Sequence, residues 1–259
     1  MNKKYKYTLI SICSVICFLG FWYLITDGLH IFAETILPSP VKVFQAFVFK
    51  LSNKNPDGAT LWQHTVSSLQ VAIYGYVLGV VIGMPLGIAM AWNKKVDLFA
   101  KPLFDLLRPI PPIGWIPLML VFFGIGMLSK AVIIFISAFI PCVLNAYTGI
   151  KQTNSVHLWV AQTFGAGRTK MLWKVAVPSA MPMIFTGLRV GLANSWAALV
   201  APEMLGSQRG LGYMIQMNRM MARADNIIVG MLVIGVVGAL LSIVLGSMEK
   251  LLVKGGAAK

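Results

Sequence analysis

Residues able to make or break covalent bonds are few in this chain and widely separated. The three histidines, His30, His64 and His157, fall in different segments, with neither a His-Glu-x-x-His pattern nor a close pair of carboxylates beside them. Only eight Asp and Glu residues occur in 259. Cys13, Cys17 and Cys142 lie in apolar runs without ligand-like spacing, which predicts small buried side chains and neither a disulfide framework nor a metal site. The phosphate cradle Gly-x-x-x-x-Gly-Lys-Ser/Thr is missing, so nothing here could use ATP directly. The expectation is a chain that is no enzyme, with no catalytic residue, no metal ligand and no cofactor of its own. Asn194, Ser195, Trp196 and Glu203 remain as polar or amphipathic candidates for a translocation pathway, although helix–helix hydrogen bonding explains Asn194 and Ser195 equally well.

Recognition of a protein surface is a different chemistry, and it has its own candidate. The stretch from Ser155 to Arg168 continues through Lys170 and Lys174 to Pro178. Its pattern predicts two short helices joined at Gly165–Gly167. Val156, Val160 and Phe164 recur every four residues with Ala161 beside them, so the first helix carries an apolar face. In the second, Lys170 and Lys174 share a face while Met171, Leu172 and Val175 take another. Gly165 and Gly167 permit a sharp bend and close approach of another backbone. A bracket of this shape suits a knob that docks into a cleft on a soluble partner. Periodicity alone would equally allow an ordinary interfacial loop.

The elements around these residues follow from composition. Hydrophobic residues make up 58% of the chain and charged ones 12%, bunched between long uncharged runs. That pattern predicts an all-α, polytopic membrane helix bundle, because a soluble domain needs a charged surface. The net charge of +14 then bears on orientation, and nucleic-acid binding is not expected. Residues 1–30 hold a first span with no small-x-small cleavage site after it, so it is read as retained. Residues 37–55 form an outer interfacial segment. There Leu37-Pro38-Ser39-Pro40 is a stiff link, followed by Val41, Phe44, Phe47, Val48 and Leu51 at helical spacing.

Residues 60–250 contain the other spans. In the uncharged run 65–93, Gly75, Gly79, Gly83 and Gly87 repeat every four residues, as close helix packing in lipid requires, and Pro85 predicts a kink. A short helix over 97–108 precedes a third span at 109–129. The fourth, 131–150, follows a link short enough to make the two antiparallel neighbours. The fifth begins near Pro182 and ends at Glu203, with Gly187, Gly191 and Ser195 as a small-residue face. Arg189, inside it, is given a structural role, snorkelling or binding carbonyl groups. An outer re-entrant or interfacial segment leads to the sixth, Asn226–Met248. With the N-terminus inside, and Arg108 and Arg189 near span ends left unassigned, thirteen basic residues face the cytoplasm against seven outside: Lys42, Lys50, Lys54, Lys130, Arg209, Arg219 and Arg223. The positive-inside rule thus predicts six spans, both termini cytoplasmic and the 155–178 bracket facing the cytoplasm.

Trp159–Pro178 resembles the coupling motif of type I ATP-binding-cassette importer permeases, with Ala161, Gly165 and Pro178 in register. Val160 replaces the motif's first alanine, and Trp159 stands where an acid is usual. Leu37-Pro38-Ser39-Pro40, Trp115-Ile116-Pro117-Leu118, Phe123-Gly124-Ile125-Gly126 and Gly187-Leu188-Arg189-Val190 resemble the nitrate/sulfonate/taurine branch. So do Val200-Ala201-Pro202-Glu203-Met204 and Gly210-Leu211-Gly212-Tyr213. The resemblance implies one permease domain over 1–259, multi-pass in a bacterial-type cell membrane. It implies ATP and Mg bound by a separate pair of ATPase subunits, a permease homodimer and an extracytoplasmic substrate-binding protein. The cargo would be a small sulfonate-, taurine- or nitrate-like solute. It assigns Trp159, Val160, Ala161, Gln162, Thr163, Phe164, Gly165, Ala166 and Arg168 to the coupling segment, docking by shape through Ala161, Phe164 and Gly165. The alternative is a secondary transporter or channel working without an ATPase; the near-absence of intramembrane carboxylates argues against a secondary carrier.

Overall fold

The computed structural model describes residues 3–252, all of whose regular elements are helical. Lys254 and Lys259, and the side chains of Lys3, Lys4 and Lys6, which enter the charge count above, lie outside the described residues. The helices are α1 (Lys3–Tyr23), α2 (Pro40–Ser52), α3 (Leu61–Trp92), α4 (Lys94–Leu107), α5 (Ile116–Phe123) and α6 (Met127–Lys151). They continue with α7 (Ser155–Thr163), α8 (Arg168–Met171), α9 (Val177–Ala198), α10 (Val200–Gly206), α11 (Leu211–Met220) and α12 (Ala224–Leu252). Tyr7–Gly28, Leu61–Trp92, Met127–Lys151, Arg168–Gly206 and Ala224–Leu251 are each long and apolar enough to cross a membrane. A sixth crossing exists only if Lys94–Leu107 and Pro112–Phe123, bent by 85°, are taken as one broken span.

That bend replaces the single third span expected over 109–129. Pro109, Pro111 and Pro112 cannot donate to a helix ladder, and each pushes the residue before it out of the α region. A single 3₁₀ turn, Pro112–Trp115, results, and α5 lasts only eight residues before Gly124 ends it at φ +69°. Pro85, by contrast, sits inside a helix that runs unbroken from Leu61 to Trp92.

Two compact units make up the chain: Met1–Val66 with Arg209–Ile234, and Ser67–Gln208 with Gly235–Lys259. In the first, Ser39 caps α2 by accepting from the Lys42 amide, and Pro40 occupies the first turn, where its missing N–H costs nothing. Val41, Phe44, Val48 and Leu51 form an exposed apolar stripe along α2, while Val43, Ala46 and Lys50 on the opposite face are buried. The Trp22 indole donates to the Pro38 carbonyl at 3.1 Å, tying the end of α1 to the proline link.

The second unit is built on α3, α6 and α9. A Cβ placed on Gly79 would stand 2.5 Å from the Ala138 Cβ, and one on Gly75 would stand 2.6 Å from the Ile134 Cβ. On Gly87 it would run into the Val143 carbonyl oxygen. The four-residue glycine repeat is therefore the face on which α3 meets α6. Gly187 and Gly191 perform the same service between α9 and α6, against Asn145 and Ala138. Helices that attract one another only weakly in lipid gain dispersion contact when small residues let their backbones approach. Cys142 is buried in this packing; Cys13 and Cys17 instead lie on the exposed surface of α1, where apolar side chains meet lipid.

Candidate functional site

The 155–178 bracket forms from local capping. The Asn154 side chain accepts from the Val156 amide at 2.9 Å and starts α7. Gly165, at φ +75°, ends it in a Schellman-type turn: the Ala166 amide donates to the Ala161 carbonyl at 3.0 Å, and the Gly165 amide to Gln162 at 2.9 Å. Nothing stands within 4 Å of a Cβ at Gly165, so the turn's conformation, and no crowding, is what demands glycine there. Gly167 then caps α8, and a π-helical turn, Leu172–Ala176, carries the chain into α9.

The bracket presents apolar surface outward. Val156, Trp159 and Val160 are each at least half exposed, and Phe164 is 87% exposed. Gln162, Thr163, Gly165 and Arg168 are also exposed, while Ala161 and Ala166 are half-buried. Lys170 and Lys174 point to the surface, and Met171, Leu172 and Val175 are half-buried, in keeping with their two faces. Arg168 donates from Nη2 to the Trp92 carbonyl at 2.9 Å. Trp92 is the last residue of α3, so the guanidinium satisfies a carbonyl that the helix itself leaves open and favours the negative end of its dipole. A groove of about 620 Å³ lies beside this bond, lined by Trp92, Leu158, Trp159, Gln162, Arg168 and Met171.

The four pathway candidates differ in exposure. Asn194 is exposed on α9. Ser195 is buried and donates to the Ile134 carbonyl on α6 at 3.3 Å. Trp196 is buried where Gly238 of α12 leaves room for its indole. Glu203, on α10, is wholly buried, with both carboxylate oxygens within 2.9 Å of the Ser68 hydroxyl. Among the described residues no three His, Cys, Asp or Glu side chains gather as a metal site would need.

Several charged residues take partners that spacing did not reveal. Arg189 pairs with Glu249 of α12 and so has a carboxylate where snorkelling or carbonyl contact was expected. Lys130 is 7% exposed and donates to the Ser207 hydroxyl at 2.8 Å. Lys50 is 0% exposed; it pairs with Asp57 and donates to the carbonyls of Asn55 at 3.1 Å and Ala59 at 2.8 Å. The Gly210 amide donates to Nδ1 of buried His64 at 3.1 Å. An amide can only donate, so Nδ1 is the acceptor and Nε2 carries the proton toward Asp57 Oδ1, 3.2 Å away. Asn218 donates to Asp57 Oδ2 at 3.0 Å and accepts from Asn226 at 2.8 Å. Burial works to raise the Asp57 carboxyl, but the hydrogen bonds from His64 and Lys50 outweigh it and hold it below the ordinary carboxylate range. Lys50 and Lys130 are thus interior residues. Counting them among seven outer cations overstates the exposed positive charge on that side.

Five helices long and apolar enough to cross a membrane, together with an exposed apolar bracket, fit a membrane-embedded subunit that docks to a partner. Residues 75–255 match the family model described as "binding-protein-dependent transport system inner membrane component". The chain is 35% identical over 244 residues to the taurine transport system permease protein TauC of Escherichia coli, covering 93% of this chain and 87% of that protein. It is 30% identical over 248 residues to the bicarbonate transport system permease protein CmpB of Synechococcus elongatus, covering 93% and 87%. A chain of the inward-facing MetNI methionine ABC transporter shares the fold at TM-score 0.64 and 17% identity, over 73% of this chain and 96% of that one. This chain belongs to the family of inner-membrane components of binding-protein-dependent transport systems. It is the multi-pass, membrane-embedded permease subunit of an ABC importer, and not a catalytic one.

Proposed function

We propose that residues 1–259 work as one permease domain with six spans, the bent pair of α4 and α5 counting as the third, and with both termini in the cytoplasm. In this reading α7, the Gly165 turn and α8 face the cytoplasm and seat in a cleft of a separate ATPase, two copies of which bind ATP and Mg. Two permease copies pair about a two-fold axis, as a single kind of subunit must to present two equivalent brackets. An extracytoplasmic binding protein delivers the solute.

The observation that supports this reading best is the bracket's surface. Trp159, Val160 and Phe164 stand exposed on a short, doubly capped element, where an isolated loop would be expected to cover them. The segment is also mechanically connected. It continues through the π-helical turn into α9, follows α6 after only three intervening residues, and holds α3 through Arg168 and Trp92. Closure of the ATPase pair would therefore pull three core helices at once. ATP shifts the pathway only if it binds one of the two arrangements more tightly. The relatives' cargoes, taurine for TauC and bicarbonate for CmpB, point to a small anionic or zwitterionic solute for this chain as well.

The test is uptake of labelled taurine and bicarbonate by vesicles holding the complete set of subunits, with wild-type chain or Gly165→Val. The valine Cβ meets nothing within 4 Å, but an L side chain disfavours the φ +75° turn by about 1–2 kcal/mol. Uptake and co-purification of the ATPase should both fall while membrane insertion is unchanged. Full uptake by the variant would reject docking through this turn, and uptake without any ATPase would favour the secondary-transporter alternative.

A further inference from the structure

Two adjoining cavities in the second unit share a wall and differ in chemistry. One, of about 380 Å³, lies between α4, the turn at Trp115 and α6, and its lining is almost wholly apolar, with Phe99, Leu103, Phe135 and Phe139 prominent. The other, of about 210 Å³, is mixed, with Lys101, Asp105, Tyr147 and Thr148 in its lining beside Met90 and Leu144. Phe104 and Arg108 belong to both. Neither Lys101 nor Arg108 forms an ion pair among the described residues. The Trp115 indole N–H is buried without an acceptor, although such groups usually find one. Around the apolar cavity the rim itself is apolar and open: Phe99 is 77% exposed, and Leu103 and Leu107 are also exposed. A passage for a hydrated solute would not be edged this way, whereas contact with lipid chains would.

We propose that this pair of cavities binds one anionic phospholipid, with an acyl chain in the apolar cavity and the phosphate head group at Arg108 and Lys101. On α4, Lys94, Lys95, Lys101 and Arg108 stand beside exposed Leu98, Phe99 and Leu106, an amphipathic pattern suited to contact with lipid. Basic side chains between membrane helices are suited to acidic head groups, and the two unpaired cations outnumber Asp105. A bound lipid would fill the angle of the 85° bend and brace α4 against α6 without any contact with the bracket. The inference does not depend on the coupling role of residues 155–178.

Native mass spectrometry of the full-length chain in neutral detergent tests it, with phosphatidylglycerol and phosphatidylcholine of matched acyl chains as probes. Phosphatidylglycerol should be retained in preference to phosphatidylcholine, one per chain, and glycerol phosphate, which has the head group but no chain, should not bind. The double variant Lys101→Gln/Arg108→Gln should lower phosphatidylglycerol retention by about 30-fold, as two cations near the membrane surface imply. Ala100→Trp, which fills the apolar cavity and leaves the cations in place, should lower retention of both lipids. Arg108→Lys should restore most of the binding lost in Arg108→Gln, which separates a charge effect from misfolding. Equal retention of the two lipids, or unchanged retention in both variants, would overturn the proposal. So would efficient disulfide cross-linking of two copies through Leu103→Cys, because the second copy would then occupy the cavity.

Discussion

Lys50 and Asp57 show how little a charged residue's type says about its place. Lys50 falls one residue from the exposed stripe of α2, and its sequence neighbours suggest a solvated cation. Its Nζ instead reaches Asp57 and two loop carbonyls, so its charge is compensated without water. Removing one member of a buried pair leaves the other uncompensated, which costs about 3–5 kcal/mol. Lys50→Met should therefore lower the melting temperature of the purified chain sharply, and Lys50→Met/Asp57→Asn should recover part of the loss. The Asp57 carboxyl titrates below its unfolded value, roughly 3.9. The stability it contributes is fully present above that pH and is lost as pH falls through the lower, folded value. Melting curves of the wild type should consequently hold steady from neutral pH to about pH 4 and decline below it, and Asp57→Asn should flatten that decline. A wild type that loses no more stability below about pH 4 than Asp57→Asn does would refute this assignment.

At the scale of elements, the helices were most legible where one physical requirement acted alone. The glycine repeat of α3 announces a close helix contact, because no other force in lipid favours four glycines on one face. Gly165 and its flanking polar cap announce a bend for an equally local reason. The third span was misread because 109–129 is uncharged from end to end, and hydropathy alone cannot register that Pro109, Pro111 and Pro112 break the ladder. Partners distant in sequence were not legible at all. Nothing in the spacing of Arg189 and Glu249, or of Ser68 and Glu203, separates a pair from two stray polar groups. The glycine contact can be tested by substitution. Gly79→Ala and Gly87→Ala must push α6 away, at about 1–3 kcal/mol each by the usual cost of overpacking. Gly235→Ala, on α12, has nothing within 4 Å of the added Cβ and should leave melting unchanged or slightly raised. Thermal melts in detergent that rank Gly235→Ala with the other two would show that helix propensity, and not α3–α6 contact, governs these sites.

The whole molecule has to reconcile a rigid core with a pathway that opens on alternate sides. Ser195, Trp196 and Glu203 are buried within a single chain, Ser195 against the α6 backbone and Glu203 against the Ser68 hydroxyl. Asn194 differs, because it lies on the exposed side of α9 with Thr186, Val190, Ala193 and Ala197. That side carries few bulky groups, as a surface facing the proposed two-fold axis would require. Motion of the bracket would reach it directly, since α9 begins where the π-helical turn after α8 ends. If the homodimer forms in this way, a cysteine at Asn194 in a chain whose Cys13, Cys17 and Cys142 have been replaced should react with a membrane-impermeant maleimide added from the extracytoplasmic side. Its rate should rise when ATP is bound and hydrolysis is blocked, as the pathway turns outward. A cysteine at Ser195 should stay unreactive in both states, because the α6 backbone covers it. Equal labelling at the two positions, or an Asn194→Cys rate indifferent to ATP, would remove α9 from the pathway and leave its exposed side to lipid.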